Sequence, residues 1–195
     1  LAMDQQRMPQ FDLPDAAAFA AFASTLPITA KPRLDYIRPP DAKKPQAKMP
    51  SIRISRVGAD AAHVLATLHS AGFPQGWPAD AIAEMLSVPG TLALVVDRDG
   101  HTAGMVMARA IGEESEILTF ATLPRFRRQG LARQLLSGLA MYLSSLAVNV
   151  IHLEVASDNA AAIALYESSK FQRSGLRKRY YASGADAIVM QRKLP

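Results

Sequence analysis

The sequence predicts an α/β fold of the α+β mixed-sheet kind, a central mixed sheet of about six to seven strands flanked by about four helices. Three stretches carry that expectation. TLALVVD and TAGMVMARAI, joined at Asp99-Gly100, read as a hairpin with a tight turn. ILTFAT, residues 117–122, runs into Pro124 and then into a long helical pattern. Val150 to Val155, a helix opening beside Asn159 and a strand restarting at Phe171 form a strand–helix–strand unit, which implies a parallel pairing with a right-handed crossover.

In chain order, residues 1–50 hold eight of the 13 prolines together with Lys43, Lys44 and Lys48. That composition predicts a largely extended or disordered extension with one short helix at 14–26, where Phe19, Phe22 and Leu26 share a face. A secretory signal is disfavoured there, because Asp4, Asp12 and Asp15 stand where positive charge is needed.

The folded domain is expected over 51–195. Ile52 and Ile54 alternate with polar residues as a first strand. A helix with Ala62, Leu65, Ala66 and Leu68 on its apolar side follows, then the loop FPQGWP at 73–78, then a short helix from Pro78 to Val88. After the hairpin and the 115–122 strand, Leu131, Leu135, Leu136, Leu139, Ala140 and Leu143 recur at helical spacing, in a helix expected to begin near Arg128. Ser157 or Asp158 is placed to cap the helix carrying Ala162, Ile163, Leu165 and Tyr166. The last strands are expected at about 172–181 and 186–194, and the strands bearing Phe120 and Glu154 are expected to be neighbours.

The junction at 122–133 has the chemistry of a phosphate site. A helix's first turn leaves N–H groups unpaired and carries partial positive charge, so an anion is stabilised there. Gly130 has no Cβ and Ala132 only a methyl, leaving the backbone approachable. The same residues also describe an ordinary basic helix start after a loop glycine.

Composition narrows the classes. The chain has 195 residues, 49% of them hydrophobic, enough for one domain with a sizeable core. With no cysteine there is no disulfide frame, thiolate nucleophile or zinc–thiolate site, which fits a reducing, cytoplasmic setting. A net charge of +5 suits either a nucleic-acid partner or an anionic cofactor. The basic residues are spread out and lack an RNA-binding aromatic motif, so direct nucleic-acid binding is not expected. No apolar run approaches the ~20 residues that span a bilayer.

Two motifs resemble the GCN5-related N-acetyltransferases (GNAT). Arg127-x-x-Gly130-x-Ala132 after a strand is similar to their coenzyme A pyrophosphate loop, and LEVASDNAAAIALYESSKF at 153–171 resembles the RimI type, which acetylates N-terminal alanines of ribosomal proteins. The resemblance covers about residues 52–194 and implies the GNAT fold, acetyl-CoA as donor cosubstrate and no metal.

Residue by residue, it implies Glu154 as general base and Tyr166 as general acid. Phe120, Ala121 and Thr122 match the strand whose backbone holds the pantetheine arm. Arg127, Arg128, Gln129, Gly130, Leu131, Ala132 and Arg133 match the phosphate loop, and Asn159 a side chain that contacts the cofactor. The loop with Phe73 and Trp77 and the segment with Tyr180 and Tyr181 match the walls of the acceptor groove. If the last segment is a strand, Tyr180 and Tyr181 point to opposite faces and only one of them meets the peptide. Without the resemblance, Glu154 reads as a solvated edge carboxylate, Tyr166 as a packing residue, Trp77 as a cap on the core, and the 177–181 segment as a basic outer face with one core tyrosine.

The resemblance further implies direct transfer in a ternary complex. The acceptor it names is a protein N-terminus, foremost the alanine of a small-subunit ribosomal protein. Apart from the resemblance, the lysines of the 1–50 extension suit a salt-sensitive tether to ribosomes. An α-amine, with pKa near 7.7 to 8.0, is neutral in roughly a tenth of molecules at pH 7, so a modest base suffices. Acetylation of a lysine or small amine, and acyl-CoA binding without catalysis, are the competing readings. His152 shares a strand face with Glu154 and is a relay or a surface histidine. Lys170 stands where the family has glycine, at a left-handed cap costing about 1 kcal/mol. Leu123 and Thr122 also depart from the family pattern without removing a catalytic group.

Overall fold

The structure is a computed structural model that describes residues 50–195. The expected N-terminal extension, its 14–26 helix and its tethering role lie outside the described residues. In chain order come β1 (Ile52–Val57), α1 (Ala62–Ser70), α2 (Ala79–Ser87), β2 (Thr91–Arg98), β3 (His101–Ile111), β4 (Glu114–Thr122), α3 (Leu131–Ser145), β5 (Val150–Ala156), α4 (Ala160–Ser168), β6 (Gln172–Arg177) and β7 (Ala187–Lys193). Short 3-10 turns precede α1 (Ala59–Ala61) and follow β4 (Pro124–Phe126).

The strands form one seven-stranded sheet in the order β1-β2-β3-β4-β5-β7-β6. β4 and β5 are parallel and the other neighbours antiparallel. Asp99 and Gly100 both adopt positive φ, 51° and 81°, which gives the β2–β3 hairpin its tight turn.

The uninterrupted apolar runs of β2 and β3 are explained by burial on both faces. Leu94, Val96 and Val106 face α3, whose Leu131, Leu135, Leu136, Leu139, Ala140 and Leu143 are all buried, while Val95, Met105 and Met107 face Leu65, Leu68 and Ile82 of α1 and α2. Truncating a leucine such as Leu139 to alanine in so dense a face costs about 2–5 kcal/mol.

Two features of β4 prepare the site. Met107 pairs with Thr119 and Ala108 with Ile117, leaving Leu118 as a bulged extra residue. The bulge resets the alternation, so Ile117 and Phe120 both pack on the α3 side while Leu118 and Ala121 pack on the α1–α2 side. β4 and β5 then pair over three residues only, ending at Glu116↔His152, and part beyond that point.

Several expectations are corrected. α3 begins at Leu131 rather than near Arg128, because Arg128 (φ 59°) and Gly130 (φ 79°) both turn left-handed and cannot continue a helix. The strand expected at 172–181 ends at Arg177, where the chain turns, with Arg179 at φ 50°. β5 and β6 are not paired, because β7 lies between them and bonds antiparallel to each. The parallel crossover belongs instead to β4–α3–β5. Asn159, not Ser157 or Asp158, caps α4, its side-chain oxygen accepting the Ala162 N–H at 3.1 Å.

Candidate functional site

The turn between β4 and α3 is a backbone site. α3 has no side-chain cap, and its first intrahelical bond runs from Gln134 N–H to Gly130 C=O, so the N–H groups of Leu131, Ala132 and Arg133 have no helical acceptor. A Cβ on Gly130 would meet nothing within 4 Å; its glycine character serves the left-handed φ. The side chains expected to meet phosphates divide. Arg128 and Arg133 are exposed, whereas Arg127 Nε donates to Thr122 C=O (3.2 Å) and Gln129 is bonded to Arg98 and to Arg125 C=O (3.0 Å). Arg127 and Gln129 thus brace the turn, and Leu131 sends its side chain into the core.

Phe120, Ala121 and Thr122 lie past the last β4–β5 pair, bonded to β3 on one edge and facing the split on the other. The split opens on an anion-receptive turn at one end and on Tyr166 along α4. Tyr166 is 7% exposed and packs edge-to-face against Phe120 (ring centroids 6.4 Å) and Phe171 (5.7 Å). Burial, and secondarily the neighbouring Tyr181, push its phenol up to about 12.

Glu154 stands on β5 two residues past the last pair with β4, half-buried, and Arg177 Nε meets its Oε1 at 2.9 Å. Arg177 also lies over the Tyr180 ring, 5.5 Å from its centroid. A hydrogen bond to Glu154 raises the exposed Tyr180 hydroxyl's pKa; burial first, and then the Glu154 charge, raise that of Tyr181. Glu154 and Arg177 border a cleft of ≈ 420 Å³ that continues past His152, Glu116 and Arg109. His152 shares the cleft with Glu154, as its strand position requires, with Nε2 3.5 Å from Glu114 Oε2 and no aligned hydrogen bond.

Tyr180 and Tyr181 do not alternate across a strand. They sit after the β6 turn with rings edge-to-face at 5.3 Å. Phe73 and Trp77 lie elsewhere, on the α1–α2 loop, where a Cβ on Gly72 would stand 3.4 Å from that of Ala121. Phe73 is exposed; Trp77 is partly buried against the α1–α2 core, so it does cap that core. Asn159 spends its oxygen on the α4 cap and is exposed. Arg177 as the partner of Glu154 was missed from the sequence, since the two residues meet only across β7, which pairs with both β5 and β6. No group of three or more metal-ligating side chains occurs among the described residues, and no helix among them is long and apolar enough to cross a membrane.

The chain is 36% identical over 165 residues to an uncharacterized protein of Mycobacterium leprae, a match covering 81% of this chain and 45% of the relative. It thus spans under half the length of that relative. It is 37% identical over 121 residues to N-alpha-acetyltransferase RimI of Mycobacterium tuberculosis, covering 60% of this chain and 75% of that one. The crystal structure of the ribosomal-protein-S18-alanine N-acetyltransferase from Escherichia coli superposes with a TM-score of 0.68 at 28% identity, over 74% of this chain and 94% of that one. Residues 62–171, more than half of the chain, match the family model described as the Acetyltransferase (GNAT) family, and the chain belongs to that family.

Proposed function

We propose that this chain transfers an acetyl group from acetyl-CoA to the α-amino group of a protein N-terminus, the alanine of a small-subunit ribosomal protein foremost. The observation that carries the reading is the placement of Glu154 and Tyr166 at the β4–β5 split, one on β5 and the other packed on Phe120 of β4. The names of the M. tuberculosis and E. coli relatives support the acceptor class.

The residues present fit the donor. The uncapped N–H groups of α3 and the exposed Arg128 and Arg133 suit a pyrophosphate, and the free edge of Phe120–Thr122 suits an extended amide-bearing arm. Acetyl-CoA, when bound, supplies the thioester and leaves as the thiol.

Glu154 accepts the proton of the attacking amine at its carboxylate. Arg177 holds that carboxylate in place through the 2.9 Å contact of its Nε with Oε1. The Tyr166 hydroxyl, near 12, stays protonated throughout the working range. Handing that proton completely to a thiolate of ordinary pKa is uphill by about three to four units, so Tyr166 acts on the leaving sulfur chiefly as a hydrogen-bond donor.

The test is acetyl transfer to three acceptors: an alanine-first ribosomal peptide, the same peptide with a blocked N-terminus and an internal lysine, and a small polyamine. Turnover of the free α-amine alone supports the reading. Preference for the lysine peptide or polyamine moves the acceptor to those amines, and acetyl-CoA binding without any turnover marks a binding module.

A further inference from the structure

His69 ends α1 and is the residue on which the α1–α2 loop closes. Its carbonyl accepts the N–H groups of Gly72 (2.9 Å) and Phe73 (3.0 Å), and its Nδ1 accepts the Trp77 N–H (2.9 Å). Its imidazole is stacked between two loop rings, with Phe73 at 4.4 Å and 18° on one side and Trp77 at 4.5 Å and 16° on the other. The loop is drawn in so tightly that a Cβ on Gly76 would lie 2.8 Å from Ser70 Cα. His69 itself is 3% exposed.

We propose that His69 is a positioning residue that pins the 71–78 loop against β4, and that protonating its imidazole releases the loop. This inference rests on the acetyltransferase reading for its second half, that the pinned loop is a wall of the acceptor groove; the pin itself does not need it. The chemistry is a matter of one lone pair. Nδ1 accepts from Trp77 only while it carries no proton, and the imidazolium donates at both nitrogens. A protonated ring would therefore set N–H against N–H in a buried place, with no carboxylate in compensation.

The charged and titratable side chains on the elements around it are Asp60 before α1, His63 on α1, Asp80 and Glu84 on α2, His101 and Arg109 on β3, and Glu114 and Glu116 on β4. None of them forms an ion pair with His69. Burial alone lowers its pKa. The sign follows: the closed loop is fully favoured above the ordinary histidine value of about 6.5, and the advantage is lost as pH falls from there through the lowered value.

Trp77 is the only tryptophan in the chain, so its fluorescence reports the loop directly. The full chain is titrated from pH 8 to pH 4.5 as wild type, His69→Phe and His69→Asn, with circular dichroism recording the fold. The wild type is expected to show a reversible emission change with a midpoint below the ordinary histidine value, at constant secondary structure. His69→Phe keeps a ring in the stack but has no acceptor, and its emission should be red-shifted and pH-independent. His69→Asn keeps an acceptor and loses the titration, and it decides the matter should the phenylalanine variant not fold.

In the alanine-peptide assay, His69→Phe should raise acceptor KM about fivefold to tenfold, the equivalent of one hydrogen bond, with acetyl-CoA KM and kcat little changed; His69→Asn should restore most of the difference. A flat wild-type titration, or the same titration in both variants, overturns the pin. A confirmed titration with acceptor KM unchanged overturns its role in the groove. If no peptide is acetylated at all, the acetyltransferase reading falls while the fluorescence still decides the pin.

Discussion

The two sides of the β4–β5 split are built in different ways. The α3 side comes from one continuous stretch, residues 120–145, and what it offers is backbone: a free strand edge, a left-handed turn at Arg128 and Gly130, and an uncapped helix start. The opposite side is assembled from side chains delivered by β5 and the turn after β6. A backbone-built site tolerates most side chains and depends on conformation. A side-chain-built site depends on individual groups and on the topology that gathers them.

That contrast can be sharpened by mutation. The largest of three effects is expected at Tyr166, which packs on Phe120 of β4 from α4. Tyr166→Phe should lower kcat by about 10²-fold, the size of a lost transition-state hydrogen bond, with acetyl-CoA affinity nearly unchanged by calorimetry. The same variant has a stability signature. Because the folded phenol lies near 12 and an unfolded one near 10, its contribution is fully present below pH 10 and lost as pH rises from there through 12. Urea unfolding at pH 9 and pH 11 should show about half of that loss, about 1.4 kcal/mol, in the wild type and less of it in Tyr166→Phe.

A smaller effect is expected on the backbone side. Gly130→Val places a β-branched residue at φ 79°, at a cost of about 1–2 kcal/mol. Acetyl-CoA affinity should fall roughly tenfold in calorimetry, whereas Gly130→Asn, which tolerates left-handed φ, should lose far less.

The smallest lies away from the site. Lys170 occupies φ 71° after α4, where the Phe171 N–H reaches Tyr166 C=O at 3.0 Å and the Lys170 N–H reaches Glu167 C=O at 3.1 Å. This is the left-handed helix end that glycine prefers. Lys170→Gly should stabilise the chain by about 0.5–1 kcal/mol in urea unfolding, with acetyl transfer unaltered.

What was legible in the sequence follows the same division. The buried face of α3 could be read residue by residue, because an amphipathic helix writes its burial into local spacing. The Asp-Gly hairpin was legible because that pair dictates its turn, whereas the Lys170 cap was legible only through the family resemblance, which has glycine there. The start of α3 was misplaced by three residues, since a non-glycine residue at positive φ, here Arg128, leaves no mark in composition. The insertion of β7 between β5 and β6 was hidden because strand order is a long-range choice that periodicity does not encode. With it were hidden the Glu154–Arg177 pair and the shared turn of Tyr180 and Tyr181. The His69 stack left no signal either: a lone histidine eight residues before a tryptophan has no periodic meaning.

The central claim is that the split divides the labour, with the donor held by backbone on one side and the amine handled by Glu154 on the other. Glu154→Gln keeps the size and polarity of the side chain while removing the base, so the most direct measurement pairs acetyl-CoA binding by calorimetry with transfer to an alanine-first peptide. The account predicts a dissociation constant within about twofold of wild type and transfer slower by about 10²- to 10³-fold. Transfer at the wild-type rate, or loss of acetyl-CoA binding together with transfer, would contradict it.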